Sequence, residues 1–535
     1  MKGSRRLLRS IVLTVALFYL LMFVFVYLRL HSSSHIQAVT QLLSQGAALE
    51  HSHSSSSSLL PVKVNADVIT NPVLDPFVHE SEQKSLTHNK SSSAAAAAAA
   101  ALQLSTNKTA SAAVAAGSDK HTLPSSGEIT SWKKLRSSAC DGKIRMYRNE
   151  IITFADLTVA PELCIGAMKL VNHTEVLQQP EAKEFFNYKL GFFSMTCTHA
   201  EQMRQVLGAR YNTLPQHFKR WSESFVFTKA TAADNKNDDV RRDDDVTVRD
   251  SFTLAMVRYE YANVYWNIID LYDAYMTCVV NNRTLGETTI FIVDAHPRGH
   301  LDHLWSNSFR DIIRPADLQG RTLFKHFSWL FPRDNSPMLR KDKRQPPGWL
   351  AFRQEILAHS SITSEPRRCP GGNAAASSKQ TVLRVLLIWR HDYVAHPRNP
   401  NGLIMRKIKN EAQLERHLKS VYPTFLIRGV QLDALGIEEQ LYLLANSDIL
   451  VGMHGAAMAF SVFMPPGSAV IELYPSYYPG SNWHMEYIAL WSGHHYVEWH
   501  NKNARLDDKK RGYSTIPTEQ LQLLVDKAVK KLCPR

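Results

Sequence analysis

None of the six cysteines in this 535-residue chain stands in a C-x-x-C pair, so the paired spacing of structural zinc sites is missing and zinc is disfavoured. No interval of about 20–50 residues repeats itself, which excludes a solenoid. Despite a formal net charge of +13, there is no zinc-finger spacing, no RRM signature and no interleaving of basic and aromatic residues. The positive charge therefore does not point to nucleic acid. Cationic surface without those motifs suits nucleotide phosphates or acidic glycans instead. Long apolar runs are scarce too: one of about 18 residues, near the minimum for crossing a bilayer, extends from Ile11 to Leu28.

Lys2, Arg5, Arg6 and Arg9 precede that run, and basic flanks stay on the cytoplasmic side. The pattern predicts a cytoplasmic tail over 1–10, a transmembrane signal-anchor over 11–30 and a lumenal remainder. A cleaved signal peptide is the competing reading. Against it, the run exceeds the usual h-region and Leu30-His31-Ser32-Ser33 is a poor small-x-small cleavage site. Residues 31–131 are biased toward Ser, Ala, His and Gln, with "HSHSSSSSLL" and "SSSAAAAAAAALQL". They bury too little apolar surface to offset the entropy of ordering, and read as a low-complexity stem. All six cysteines lie beyond the anchor, which predicts up to three disulfides in an oxidising compartment. Sequons at Asn89, Asn107, Asn172 and Asn282 agree with lumenal exposure.

At 44% hydrophobic and 21% charged, the remainder is globular, and its length suits two lobes. Residues 380–535 alternate as a doubly wound α/β unit does. "TVLRVLLIWR", "TFLIRGV", "DILVG" and "SAVIELYP" read as strands; "NEAQLERHLKS", "IEEQLYLLANS", "AAMAFSVFM", "WHMEYIALW" and "TEQLQLLVDKAVKKL" read as helices. Residues 132–360 are less regular. A long helix in "YANVYWNIIDLYDAYMTCVV", a strand in "TTIFIVDAH" and a helix in "GWLAFRQEILAH" predict a second α/β lobe. The polar stretches near 230–250 and 365–378 read as surface insertions.

The stretch "DILVGMHGAAMAF" interrupts a buried strand with Gly452, His454 and Gly455 just where a helix should begin. In open α/β sheets ligands sit at the carboxyl ends of strands, where the next helix presents unpaired N–H groups. Glycine lets an anion approach the backbone, and His454 can add a donor. A turn that simply needs glycine is the plainer alternative. Arg390 closes the first buried strand, and Arg398, Arg406, Lys407, Asn410 and Glu411 follow in a loop and helix start. Such cations could neutralise a leaving diphosphate without a metal. Glu472, ending "SAVIEL", could accept hydrogen bonds from ribose hydroxyls.

The blocks "YEYANVYWNIIDLYDAY", "FIVDAHPRGHLDHLW", "LLIWRHDYVAHPRNPNG", "RKIKNEAQL", "LANSDILVGMHGAAMA" and "VIELYP" resemble the lumenal glycosyltransferases of family 61. D-Y-x-A-H-P-R, from Asp392 to Arg398, resembles the branch that adds β-1,2-xylose to plant-type N-glycan cores. "GMHGA" and "PPGSAVIELYP" also resemble the O-linked N-acetylglucosaminyltransferases of the same family. The resemblance implies a GT-B fold, with two Rossmann-like lobes facing a cleft in a single-pass type II Golgi membrane protein. It implies inverting transfer of xylose from UDP-xylose to the core β-mannose of a glycoprotein N-glycan, without a metal or other cofactor. Donor binding would fall to Arg390, Arg406, Asn410, Glu411, His454, Gly455, Ala456 and Glu472. Asn263, Trp266, Asp302 and Arg398 would serve the acceptor. An inverting transfer needs a base, for which Asp294, His296 and Asp270 are the candidates, with Asp302 nearby. One departure stands out: the family helix motif N-x-x-H-x-x-x-D reads here Asn263, Trp266, Asp270, so an inactive lumenal glycan-binding protein is the rival. A second rival, a manganese D-x-D site at Asp243–Asp245, lacks an apolar strand ahead of it and reads as a solvated loop.

Overall fold

The computed structural model describes residues 126–147, 151–166, 177–178, 181–197, 223–229, 246–329, 336–369, 383–478, 480 and 482–534. The tail, the apolar run, the stem as far as residue 125 and the acidic run at 243–245 lie outside the described residues. Residues 126–131, expected to end the stem, instead open helix α1 (Ser126–Lys133), whose Trp132 is buried in the core. No helix of the described residues is long and apolar enough to cross a membrane.

The first half is built on nine strands: β1 (Leu135–Ala139), β2 (Ile144–Tyr147), β3 (Ile151–Val159), β4 (Phe193–Thr196), β5 (Phe225–Thr228), β6 (Thr247–Met256), β7 (Thr289–Ile292), β8 (Asp311–Ile313) and β9 (Thr322–Trp329). Their order is β1-β2-β3-β9-β6-β7-β8, with β4 on β3 and β5 on β4. β9, β6, β7 and β8 run parallel as neighbours, as do β4 and β5; β1, β2 and β3 add an antiparallel meander that pairs onto β9. The sheet is therefore mixed, where the sequence suggested a second Rossmann-like lobe. Helix α2 (Val264–Val280) joins β6 to β7, and α3 (Asp302–Ser308) joins β7 to β8. α2 is capped by Asn263, whose side chain accepts from Tyr265 N at 3.0 Å, and it buries nearly every residue. A helix apolar on all faces belongs in the middle of a fold.

After α4 (Trp349–His359) the second half begins with a five-stranded sheet: β10 (Arg384–Trp389), β11 (Leu426–Gln431), β12 (Ile449–Met453), β13 (Ala469–Tyr474) and β14 (His495–His500). All neighbours are parallel, in the order β11-β10-β12-β13-β14. β12 and β13 are buried at every position, as their unbroken apolar runs require of central parallel strands. β14 was not legible in sequence: "HYVEWH" buries only Val497 of its six residues, because it is an edge strand. Helices α5 (Glu411–Val421), α6 (Ile437–Ala445), α7 (Trp483–Trp491) and α8 (Thr518–Leu532) fall where the sequence placed them. The segment after β12 is a 3-10 helix, Ala456–Phe463, instead of an α-helix.

Alternate residues of β10 show how the layers are arranged. Val385, Leu387 and Trp389 face the cluster containing α5 and α8, while Leu386 and Ile388 face the one containing α2, α4, α6, α7 and the 3-10 helix. Helices of both halves thus share one apolar layer. Each large side chain in it contributes about 1.5–3 kcal/mol.

Two disulfides form, Cys140–Cys197 and Cys369–Cys533, not the three the count allowed. Cys164 and Cys278 remain buried thiols in different core clusters, so they cannot meet. Burial pushes both thiols up to about 12.

Candidate functional site

With β10 as the first strand of the second half, its sheet has the order 2-1-3-4-5. The strand order reverses between β10 and β12, and the crevice outside the carboxyl ends of those two strands is where such sheets take ligands. Arg390 directly follows β10, and His454 and Gly455 directly follow β12. Arg390 Nη1 donates to His454 O at 3.5 Å. A Cβ on Gly455 would overlap the same Nη1, so glycine is required for the guanidinium to lie against the chain. That answers why the strand stops at this dipeptide. Ala456 opens the 3-10 helix immediately behind.

Arg406 reaches the same place from the loop ahead of α5. Its guanidinium lies over the Tyr478 ring at 5.4 Å, and the His454 ring packs on Tyr478 at 4.8 Å. Arg406 holds a left-handed φ of 62°, a strain of about 1–3 kcal/mol for a side-chain-bearing residue. Its Nε is buried without a hydrogen bond among the described residues. Two arginines and a histidine therefore converge on one crevice.

His454 is fully buried, and its Nδ1 lies 2.7 Å from Glu472 Oε1. Glu472 also accepts from Tyr474 at 3.0 Å and Tyr496 at 2.5 Å. With the carboxylate accepting, Nδ1 is the donor, so Nε2 can donate to an anion only when the ring is protonated. Burial, with Arg406 and Arg390 adding to it and Glu472 opposing, holds His454 below its ordinary value. An arriving diphosphate would reverse that balance and draw a proton onto the ring. Glu472 is itself completely buried and fully occupied. The expected ribose contact is therefore corrected: Glu472 positions His454.

Asn410 also departs from the donor role expected of it. Its Nδ2 donates to Ile516 O at 2.8 Å and its Oδ1 accepts from Ile516 N at 3.0 Å, strapping the start of α5 to the segment before α8. Glu411 pairs with His391 at 2.8 Å. Burial raises its carboxyl above the ordinary value, with His391 opposing.

In the first half the charges satisfy one another. Arg258 makes a bidentate pair with Asp294, Nη2 to Oδ1 at 3.0 Å and Nε to Oδ2 at 3.1 Å, and its Nη1 reaches Asp302 at 3.1 Å. Arg314 donates to the carbonyls of Asp294 and His296 at 3.3 and 3.1 Å. Burial works against the charge on Asp294, but Arg258, with His296 and Arg314 behind it, wins and holds the carboxyl well below its ordinary range. His296 turns Nε2 to Arg258 O at 3.1 Å and Nδ1 toward Glu184 at 3.5 Å. Arg398 and His396, from the loop after β10, close the network: Arg398 meets Glu260 at 2.6 Å and His396 meets Glu184 at 3.3 Å. Arg398 thus ties the two halves together.

A base must be both basic and reachable. The Asp294, His296 and Asp270 residues are 0%, 1% and 5% exposed, whereas the Asp302 side chain is 26% exposed. The expectation for Asp294 is corrected by its closed ion pair, and that for His296 by its burial between Glu184 and Arg258. Asp270 lies on the buried face of α2, close enough to Arg258 to stabilise its charge. Asn263 is a helix cap, and Trp266 is a core residue packed edge-on against Tyr259 and Tyr265. Sequence reasoning missed Arg258, Glu260 and Glu184. The first two lie in "RYEY", and Glu184 sits in an irregular stretch that gives no signal. Among the described residues no group of three His, Cys, Asp or Glu could hold a metal ion.

A parallel 2-1-3-4-5 sheet places this chain among the doubly wound α/β proteins, whose ligands bind at the switch point where Arg390 stands. Residues 290–471 match the family described as Glycosyltransferase 61. The chain is 24% identical over 289 residues to beta-1,2-xylosyltransferase RCN11 of Oryza sativa subsp. japonica, covering 49% of this chain and 52% of that one. It is 24% identical over 286 residues to the beta-1,2-xylosyltransferase of Arabidopsis thaliana, 48% and 52% covered. It is 29% identical over 271 residues to the EGF domain-specific O-linked N-acetylglucosamine transferase of Bos taurus, 48% and 46% covered. The chain thus spans about half the length of these curated relatives.

Proposed function

We propose that the protein is an inverting glycosyltransferase of GT-B architecture that moves xylose from UDP-xylose to the core mannose of N-glycans, anchored in the Golgi membrane with its active part in the lumen. The observation that carries this reading is the convergence of Arg390, Arg406 and His454 at the switch point of the second sheet. The acceptor hydroxyl attacks the anomeric carbon from the face opposite the nucleotide; the new glycosidic bond forms as the bond to UDP breaks. Charge grows on the leaving diphosphate, and fixed cations aimed at it stabilise that state. Three such groups supply the role a metal takes elsewhere, so activity in EDTA is expected. The acceptor proton passes to Asp302, the partly exposed carboxylate among the candidate bases, with Arg258 orienting it.

The test is a mass-spectrometric N-glycan profile of cells with and without the chain, together with donor assays of the purified protein. A pentose on the core that disappears with the gene, and turnover of UDP-xylose, are the expected results. A second reading rests on the 29% identity to the N-acetylglucosamine transferase: turnover of UDP-N-acetylglucosamine instead of UDP-xylose would establish it. UDP binding without turnover of any donor would favour the inactive glycan-binding rival.

A further inference from the structure

Of the four sequon asparagines, Asn282 falls within the described residues. It follows the carboxyl end of α2 with a left-handed φ of 53°. Its N–H donates to Val279 O at 3.2 Å, and that of Arg283 to Cys278 O at 2.9 Å; these are the paired bonds that close a helix through one left-handed residue. Asn282, Arg283 and Thr284 are all exposed on the resulting turn. Lys133, the last residue of α1, donates Nζ to Asn282 Oδ1 at 2.6 Å. The side-chain oxygen is therefore held toward α1, and among the described residues the amide Nδ2 donates to nothing.

Each residue also has a structural use. Asn tolerates the left-handed region without any sequon, and Thr284 Oγ1 donates to Glu287 at 2.9 Å to start the next turn. Neither use calls for the two at N-x-T spacing on an exposed turn. We infer that Asn282 is an N-glycosylation site whose glycan stands away from the crevice. The inference rests on the lumenal reading. Nδ2 forms a bond to the anomeric carbon of a lipid-linked oligosaccharide as that carbon's bond to the lipid diphosphate breaks, and the amide gives up one proton. Oδ1 and one N–H remain, so the Lys133 bond and the helix closure survive. α2 has 17 residues, which at 1.5 Å each puts Asn282 about 25 Å along the axis from the end capped by Asn263. That far end leads into the amino end of β7, whereas the crevice lies at carboxyl ends. The glycan leaves it open.

The experiment expresses the full chain in eukaryotic cells, strips N-glycans with an amidase in heavy-oxygen water, and reads the peptides by mass spectrometry. The amidase turns each occupied Asn into a labelled Asp. Two variants remove the acceptor while keeping the structure: Asn282→Gly suits the left-handed position, and Thr284→Asn keeps a favoured cap but ends the sequon. Label at Asn282 in the wild type, its loss in Thr284→Asn, one fewer mobility step for both variants on partial deglycosylation, and unchanged turnover are the expected results. Asn282 unlabelled beside a labelled Asn89 or Asn107 overturns the inference and leaves the lumenal reading standing. No label at any sequon overturns both. Label at Asn282 that persists in Thr284→Asn is chemical deamidation, and turnover lost in both folded variants places the glycan in the active part; either result overturns the inference.

Discussion

The two halves treat charge in opposite ways. In the first, Arg258, Asp294, Arg314, Glu184, His296 and His396 cancel one another in a buried network. In the second, Arg390 and Arg406 converge beside His454, whose nearest carboxylate, Glu472, is occupied by three neighbours. Both groups stand at the carboxyl ends of parallel strands, so position alone does not mark a binding site. The difference lies in the partners: buried carboxylates in the first half and, among the described residues, a backbone carbonyl and a tyrosine ring for the arginines of the second. A buried, closed pair gives architecture; converged cations give affinity for an anion.

The largest effect should come from breaking the closed network. Asp294→Ala strands Arg258 in the core and should cost about 3–5 kcal/mol, read as a fall in the urea midpoint. Loss of turnover without loss of stability would make Asp294 a base after all. Next, Arg390→Ala should cut turnover about 10²–10³-fold, the usual scale for one donor aimed at developing charge, while the urea midpoint stays near wild type. A collapse in stability instead would place Arg390 with the architectural charges. Glu472→Gln should have a smaller effect with a distinctive pH signature. Because Glu472 raises the His454 value against burial, removing its charge lowers that value further. UDP affinity, tight where His454 is protonated, would then fade at a lower pH than in the wild type; an unmoved profile in UDP titrations at several pH values contradicts the assignment. Smallest, Asn263→Ala should cost about 1 kcal/mol as a lost helix cap, with acceptor KM unchanged in kinetics.

The second half was the more legible in sequence for a physical reason. Its central strands are buried on both faces and write continuous apolar runs, "VLLIW", "ILVG" and "AVIEL", while glycines mark the crevice. Gly455 and Arg390 could be paired from strand order alone. β14 escaped because an edge strand with half-buried histidines carries little pattern, and the 3-10 geometry after β12 has the same apolar content as an α-helix. The first half was poorly legible because its antiparallel meander is short and interrupted. Its candidate site misled for a related reason: Asp294 lies just past a strand end as a base would, and nothing in "FIVDAHPR" discloses that Arg258, 36 residues earlier, claims both oxygens. Glu472 and Asn410 carried the chemistry expected of donor contacts, but Tyr474, Tyr496 and the Ile516 backbone reach them first.

The central claim is that the Arg390–Arg406–His454 crevice receives the nucleotide diphosphate. Calorimetric titration of UDP into the wild type and into the Arg390→Ala/Arg406→Ala double variant tests it directly. Charged hydrogen bonds of about 1.5–3 kcal/mol each predict an affinity at least about a hundredfold weaker in the double variant, with thermal unfolding little changed. Equal UDP affinity in the two proteins, both folded, would contradict the account.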